Sequence, residues 1–176
     1  MPGIDESLPF HPLRIALLTV SDTRTAETDS SGDLLEGFVA EAGHEIAERR
    51  IVRDEIAVLT DVLGAWIVRR DIDVVISTGG TGLTGRDLTP EAYRQVIDKE
   101  IPGFGELFRM LSYETVGTSA MQSRAMAGVS GETYLFALPG SRGAVRDGWT
   151  KILRFQLDSR HQPCNFVDLI PRLNER

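Results

Sequence analysis

The segment with the clearest capacity for chemistry runs from Ser77 to Asp87 and reads Ser-Thr-Gly-Gly-Thr-Gly-Leu-Thr-Gly-Arg-Asp. Its glycines lack Cβ atoms, so backbone N–H groups can approach and surround an anion. The spacing fits neither the Walker phosphate loop nor the dinucleotide fingerprint. The segment predicts a phosphate or nucleotide site, and an ordinary strand-to-helix turn is the structural alternative. The candidate anion-binding residues in it are Thr78, Gly79, Gly80, Thr81, Gly82 and Arg86.

Two aspartates stand where predicted strands end. Asp87 closes the glycine-rich segment, and Asp54 follows a weaker strand. A carboxylate repels a phosphate unless a cation lies between them, and Mg²⁺ binds one or two carboxylates together with phosphate oxygens. Either residue has a structural alternative as a helix N-cap, Asp87 for a helix near Thr89 and Asp54 for a helix from Glu55. From these residues alone, both interpretations stay open.

Further polar groups cluster after two other predicted strands. The segments 19–32 and 139–142 are rich in hydroxyl, glycine and arginine residues, which suits either phosphate contact or capped turns. The hydroxyl-rich stretch 112–123, flanked by arginines, suits the wall of a polar pocket or a subunit contact. The candidate binding residues from these segments are Ser21, Arg24, Ser31, Gly32, Arg124, Pro139, Gly140, Ser141 and Arg142.

The elements that must position these residues alternate between strand and helix. Apolar runs predict buried strands at 13–20, 73–78 and 133–138, with a weaker strand at 45–53. Apolar residues at helical spacing lie between them, whereas 124–129 is ambiguous. This alternation predicts a mainly parallel sheet with helices on both faces, whose strand carboxyl ends bring the polar segments together.

Length and composition place limits on the function. A chain of 176 residues with net charge −7 predicts one domain that does not bind nucleic acid or an anionic membrane surface non-specifically. The N-terminus lacks a secretory signal pattern and no apolar run is long enough to span a membrane, so we expect a cytoplasmic protein. The single cysteine, Cys164, excludes an internal disulfide framework. We expect a flexible arm at 1–12, the domain at 13–166 and a tail at 167–176.

Taken together, several strings resemble the MoaB/MogA family of molybdenum-cofactor biosynthesis, most closely its MoaB branch. The resemblance spans about residues 13 to 166. The matching strings are 15–22 with 31–32, 78–82 with 86–87 and 89–91, 103–112, 117–119, 122–125, 138–141 and 160–166.

The resemblance implies a three-layer α/β/α sandwich that binds molybdopterin, a pterin dithiolene with a terminal phosphate. Adenylating members use Mg-ATP to form adenylyl-molybdopterin and pyrophosphate. Their two key carboxylates match Asp54 and Asp87, which would hold Mg²⁺, and a hydroxyl matches Ser123. Family members are trimers or hexamers, and the apolar residues of segment 103–124 fit such an assembly. Contacts with other proteins of the molybdenum-cofactor pathway are a further expectation.

One departure from the adenylating members concerns the segment after the third clear strand. Those members often show Pro-Gly-x-Pro-Lys, whereas this chain reads Pro-Gly-Ser-Arg-Gly from Pro139. Arg142 is the candidate for the missing positive charge. The alternative function is therefore a molybdopterin-binding protein of the MoaB branch that acts as a carrier or assembly subunit without catalysis.

Overall fold

A computed structural model describes residues 3–175 of the chain as one α/β unit. The strands are β1 (Gly3–Ile4), β2 (Arg14–Val20), β3 (Glu45–Val52), β4 (Val74–Thr78), β5 (Lys99–Glu100), β6 (Met126–Ser130), β7 (Thr133–Leu138) and β8 (His161–Gln162). The helices are α1 (Ser30–Glu41), α2 (Ile56–Ile67), α3 (Thr89–Val96), α4 (Pro102–Val116), α5 (Arg142–Gly148) and α6 (Arg154–Gln156). Two 3₁₀ segments (Gly117–Gln122 and Val167–Arg172) and one π-helical turn (Trp149–Leu153) complete the elements.

The central sheet is mixed but mainly parallel, as predicted. Its strand order is β3-β2-β4-β7-β6-β5. The first four strands in this order run parallel, whereas β6 and β5 pair antiparallel. The register aligns Thr19 with Thr78 and Thr78 with Leu138, so β2, β4 and β7 end side by side. Their exit loops therefore emerge at one edge of the sheet.

Helices cover both faces of this sheet, which confirms the three-layer architecture. Alternate residues of β2 enter opposite cores: Leu17 packs with Val39 of α1, and Leu18 packs with Leu63 of α2. Because β2, β4 and β7 are buried on both faces, their sequences are continuous apolar runs rather than alternating patterns.

The ambiguous stretch at 124–129 contains strand β6. It joins β7 through a tight turn at Gly131, whose φ of +57° favours glycine. The residues directly before β7 thus form an antiparallel neighbouring strand instead of another crossover helix.

The start of α3 differs from our expectation. The helix begins at Thr89, its N-cap residue is Leu88, and no side chain caps it. The Thr89 hydroxyl instead donates to the carbonyl of Gly79 at 3.0 Å. The first residue of α3 therefore ties the helix to the glycine-rich loop.

Both ends of the described chain contact the domain. Within the segment that we expected to be a flexible arm, Gly3–Ile4 pairs with β8, and the Ser159 hydroxyl donates to the carbonyl of Pro9. Val167 and Ile170, from the expected tail, pack against one core. Residues 1–2 of the arm and residue 176 of the tail lie outside the described residues.

None of the helices in residues 3–175 has both the length and the apolar composition needed to span a bilayer.

Candidate functional site

The exit loops of β4 and β7 and the segment before β6 enclose a cleft of about 450 Å³. This is the sheet edge where ligands bind in open α/β folds. Nine of the eighteen sequence-predicted site residues line this cleft, and Asp54 is not one of them. The cleft is lined by Gly79, Gly80, Thr81, Gly82, Asp87, Gln122, Ser123, Pro139, Gly140 and Ser141.

The first two glycines of the loop are required by the backbone and by neighbouring atoms. Gly79 and Gly80 have φ values of +108° and +65°. A Cβ on Gly79 would lie 2.2 Å from the carbonyl oxygen of Val20, and one on Gly80 would lie 2.4 Å from Oδ2 of Asp54. The tight turn therefore brings β4 against the exits of β2 and β3.

The loop also leaves backbone donors without protein partners. The N–H of Gly79 donates to the carbonyl of Leu138 at 2.9 Å, and the Thr78 hydroxyl donates to the carbonyl of Pro139. Within residues 3–175, the N–H groups of Gly80 and Thr81 donate to no acceptor. Successive N–H groups of this kind suit an anion.

Asp54 does not cap α2, because the N-cap residue of that helix is Glu55 and no side chain bonds there. Its side chain is instead buried under the glycine-rich loop, where Oδ1 accepts from the N–H of Leu88 at 3.0 Å. Burial raises the pKa of Asp54, and the negative charges of Asp87 and Asp22 raise it further. A cation between these carboxylates would relieve that repulsion.

Asp87 does not cap α3 either. Its Oδ2 accepts from the N–H and the hydroxyl of Thr84 at 2.8 and 2.6 Å, which closes a turn within the loop. The Thr84 hydroxyl chiefly holds the pKa of Asp87 below the ordinary aspartate value. A Cβ on Gly82 would lie 2.7 Å from Oδ2 of Asp87. Asp54 and Asp87 thus lie against two glycines of the same loop, Gly80 and Gly82.

Asp22 is a site residue that we did not single out from the sequence. Its Oδ2 accepts from Nε and Nη2 of Arg86 at 3.0 and 2.5 Å. Its Oδ1 accepts from the N–H of Asp54 at 3.3 Å. Asp22 therefore links three strand exits, and Arg86 is ion-paired with protein. The sequence signal for this ion pair was an acidic residue in one strand-exit loop and an arginine in another strand-exit loop.

Arg124 also differs from our expectation of a phosphate-binding residue. Its Nε and Nη2 donate to the carbonyls of Gly82 and Asp87 at 2.7 and 2.6 Å. Its Nη1 pairs with Glu91 on α3. Like Arg86, it binds protein groups at the rim of the cleft.

The β2 exit loop supplies structural contacts rather than free donors. The Ser21 hydroxyl accepts from the N–H of Arg24, whose guanidinium donates to the carbonyl of Thr28. Ser31, in the first turn of α1, donates its hydroxyl to the carbonyl of Gly140 at 2.9 Å. These residues fasten the β2 exit and α1 beside the β7 exit.

Asp29 is a second residue that the sequence interpretation passed over. It is fully buried and caps α1 by accepting from the N–H of Gly32. Its other oxygen accepts from the Thr19 hydroxyl and from Arg49. A Cβ on Gly32 would lie 2.1 Å from that oxygen, so Gly32 makes room for a buried carboxylate. Only the common N-cap preference for aspartate indicated this role.

The β7 exit confirms the predicted cap at Ser141, whose hydroxyl accepts from the N–H of Ala144 at 3.1 Å. The guanidinium of Arg142 donates to the carbonyl of Ser30 at 2.8 Å and joins the ends of two helices. Pro139 and Gly140 line the cleft directly beside the glycine loop, since a Cβ on Gly140 would lie 3.2 Å from Cα of Gly79.

Ser123 stands where two clefts meet. It lines the glycine-loop cleft and a neighbouring cleft of about 440 Å³ between α4, the first 3₁₀ segment and α5. Pro139 and Ser141 line both as well. An elongated ligand could therefore pass Ser123 from one cleft to the other.

The charges around the loop leave a negative surplus. Among the residues that the structure describes, Asp22 and Glu91 are ion-paired with Arg86 and Arg124, whereas Asp54 and Asp87 form no salt bridge. Within residues 3–175, no three His, Cys, Asp or Glu side chains converge as a complete metal site. Asp54 and Asp87 lie against the same glycine loop, and a hard divalent cation held there would take its remaining ligands from water or an anionic ligand.

The sequence matches the family described as "Probable molybdopterin binding domain" over residues 16–159, a range that includes every strand exit described above. The chain belongs to this family. It is also 49% identical over 160 residues to molybdenum cofactor biosynthesis protein B of Escherichia coli strain K12, which covers 91% of this chain and 94% of the relative. The chain is a molybdenum cofactor biosynthesis protein of the MoaB type.

Solved structures agree with this assignment. A crystal structure of molybdenum cofactor biosynthesis protein B superposes with a TM-score of 0.81 at 47% identity and covers 84% of this chain and 92% of that one. The tungsten cofactor synthesizing protein MoaB from Pyrococcus furiosus gives a TM-score of 0.72 at 36% identity, with 81% and 91% covered. The predicted MoaB/MogA resemblance and its fold are therefore confirmed.

Proposed function

We propose that this MoaB-type protein binds molybdopterin and adenylates it with Mg-ATP. The observation that carries the proposal is the pairing of Asp54 and Asp87 at one glycine loop, in a region with surplus negative charge. Such a region attracts an anionic ligand only when a cation accompanies it. Mg-ATP supplies both in one species, and the pterin supplies a phosphate.

The proposed reaction is an in-line displacement on phosphorus. An oxygen of the pterin phosphate attacks the α-phosphorus of ATP, a new P–O–P linkage forms, the bond between the α-phosphorus and its bridging oxygen breaks, and pyrophosphate leaves. A phosphate is already a nucleophile at pH 7, so no strong base is needed. Catalysis consists of positioning and charge neutralisation.

The residues of the cleft divide this work. In the part of the chain that the structure describes, the N–H groups of Gly80 and Thr81 have no protein acceptor, and they suit phosphate oxygens. Ser123 lines both clefts, so its hydroxyl suits contact with the part of a ligand that extends from one cleft into the other. Asp54 and Asp87 would hold Mg²⁺, which stabilises the charge that develops on the phosphates.

The test is an incubation of the purified protein with molybdopterin and ATP labelled at the α-phosphate. We expect one adenylated pterin for each pyrophosphate released, with formation abolished by chelation of Mg²⁺. Binding of both ligands without any labelled pterin would overturn adenylation and leave a binding function.

That second function is favoured by one observation. Arg142, the candidate replacement for the missing Pro-Lys, already donates to the carbonyl of Ser30. If no other cation reaches the leaving pyrophosphate, the protein holds molybdopterin as a carrier or an assembly subunit. Pterin binding with no measurable affinity for Mg-ATP would select this alternative.

We also propose that the protein works as a homo-oligomer, a trimer or a dimer of trimers. Only part of the apolar segment that suggested this is exposed: Phe104 and Phe108 are buried in the core. An apolar surface remains on α4 and the following 3₁₀ segment. It is formed by Leu107, Met110, Tyr113, Val116 and Met121. Because this surface adjoins the cleft shared by Ser123, a second copy covering it would also border the site.

A further inference from the structure

Arg124 makes an unusual set of contacts with the loop that carries Asp87. Its backbone N–H donates to the carbonyl of Thr81, and its side chain donates to the carbonyls of Gly82 and Asp87. A single residue thus bonds three carbonyls of the seven-residue segment 81–87. These contacts span the turn in which Thr84 binds the Asp87 carboxylate.

The charge of Arg124 is also committed to protein. Its Nη1 pairs with Glu91 in the first turn of α3. This pairing chiefly lowers the pKa of the Glu91 carboxyl, so the acid stays ionised beside the guanidinium. Each guanidinium nitrogen therefore has a protein acceptor, and a carboxylate offsets the positive charge.

Arg124 also connects the two sides of the cleft. It follows Ser123 directly, and its contacts reach the turn that presents Asp87. Movement of this residue would change the separation between Ser123 and Asp87, two of the candidate catalytic groups, both of which line the cleft.

We propose that Arg124 is a positioning residue that fixes the loop 81–87, and with it the Asp87 carboxylate, relative to Ser123. The inference deepens the proposed function and rests on it for its kinetic consequence. Its structural content, that Arg124 holds the loop closed, stands separately. It replaces the phosphate-binding role that the sequence suggested for this arginine.

Replacing Arg124 with lysine distinguishes a phosphate-binding role from a positioning role. A cation that acts on a phosphate through its charge alone keeps that effect when arginine is replaced by lysine, although a bidentate contact is lost. A fork that donates to two carbonyls and a carboxylate at once has no equivalent in the single ammonium of lysine. Arg124→Lys therefore preserves charge and removes the geometry.

The first experiment measures amide hydrogen exchange in peptides that cover residues 82–88 of the full-length protein. The N–H groups of Thr84, Asp87 and Leu88 are hydrogen-bonded in the closed loop. We expect about tenfold faster exchange in Arg124→Lys, the scale of losing one or two net hydrogen bonds, with β4 unchanged. Arg70→Lys, at an exposed arginine after α2, is the control. Unchanged exchange in the loop would overturn the proposal, whether or not the protein adenylates.

The second experiment compares kcat and KM for ATP in the adenylation assay. We expect Arg124→Lys and Arg124→Gln to lower kcat to a similar extent, about tenfold or more, with KM for ATP changed less than threefold. A lysine variant with near-normal kcat, or one whose main defect is a raised KM, would show that Arg124 contacts the phosphates instead. If the unaltered protein does not adenylate, the exchange experiment alone decides between the two roles.

Discussion

At the scale of single residues, the candidate site depends on carboxylates whose surroundings differ. Asp54 is buried and its pKa is raised, whereas hydrogen bonds from Thr84 keep the pKa of Asp87 low. The surroundings thus disfavour the ionised form of Asp54 and favour the ionised form of Asp87. A bound cation would favour ionisation of both.

The change Asp87→Asn separates a metal role from a structural one. Asparagine can still accept from Thr84, so the free energy of unfolding should change by less than about 1 kcal/mol. Loss of a metal ligand's charge should cost several kcal/mol in the transition state, which is on the order of a hundredfold or more in rate. The adenylation rate and the melting temperature are measured together.

The matched control for this change is Asp61→Asn, at an exposed aspartate on α2. It should leave both quantities unchanged. Normal adenylation by a folded Asp87→Asn protein would reduce Asp87 to a loop-closing residue.

Asp29 contributes to stability rather than to chemistry. Burial alone would raise its pKa, but hydrogen bonds from Thr19 and Arg49 outweigh burial, so the pKa of Asp29 lies below the ordinary value. Its stabilising effect is therefore complete above about pH 4 and is lost as the pH falls through the lowered pKa. We expect Asp29→Ala to cost about 3 kcal/mol of unfolding free energy at pH 7, because it leaves Arg49 short of a buried partner and α1 without a cap.

Denaturant unfolding between pH 2 and pH 7 measures this contribution. Asp33→Ala is the control, since Asp33 also pairs with Arg49 but its side chain is 59% exposed. It should cost less than about 1 kcal/mol. Equal losses for the two variants would contradict the role assigned to Asp29.

At the scale of elements, the sequence predicts most of what places the site. Three continuous apolar runs followed by polar, glycine-rich segments indicate parallel strands whose exits meet, and the structure confirms this for β2, β4 and β7. Strand β6 could not be predicted from 124–129, because its pairing with β7 depends on a turn and a partner strand rather than on its own pattern.

The contacts between elements were harder to predict. The sequence identifies Arg86 and Arg124 as cations beside a glycine loop, which suggests anion binding. Their acceptors are Asp22, 64 residues earlier, and carbonyls up to 42 residues earlier. Such partners are set by the tertiary fold, so residue type alone could not identify them, and anion binding by these arginines stays a prediction.

The glycine loop itself is testable through Gly80→Ala. The new Cβ would lie 2.3 Å from the Thr89 hydroxyl oxygen and 2.4 Å from Oδ2 of Asp54, on a residue with φ of +65°. We expect a loss of at least about 1 kcal/mol in stability and at least tenfold in adenylation, since Asp54 must move. Urea unfolding and the labelled-ATP assay provide the measurements.

Gly85→Ala is the matched control within the same loop, because nothing lies within 4 Å of its added Cβ. It should be close to neutral in both assays. Equal effects of Gly80→Ala and Gly85→Ala on stability and adenylation would contradict the close packing of Asp54 against Gly80.

At the scale of the whole molecule, the net charge of −7 disfavours non-specific binding to nucleic acid, while the apolar surface on α4 remains uncovered in one chain. Met110 and Met121 are 62% and 80% exposed there. Exposed apolar groups gathered in one patch mark an interaction surface, whereas scattered ones do not.

The double change Met110→Glu with Met121→Glu tests this surface. Burying two added carboxylates in a subunit interface should weaken association at least tenfold. Light scattering at micromolar concentration should shift from an oligomer towards 19.4 kDa. Val68→Glu, at an isolated residue that is 80% exposed, should leave the oligomer intact. A monomeric unaltered protein would refute the proposed assembly.

We propose that Asp54 and Asp87, which lie at one glycine loop, hold Mg²⁺ against the phosphates of a bound nucleotide. A crystal structure of the protein soaked with Mg-ATP tests it most directly. We expect phosphate oxygens to accept hydrogen bonds from the N–H groups of Gly80 and Thr81. We also expect Mg²⁺ to lie about 2.1 Å from an oxygen of each aspartate. Nucleotide ordered in the cleft with neither carboxylate on a metal ion, or nucleotide bound elsewhere, would contradict it.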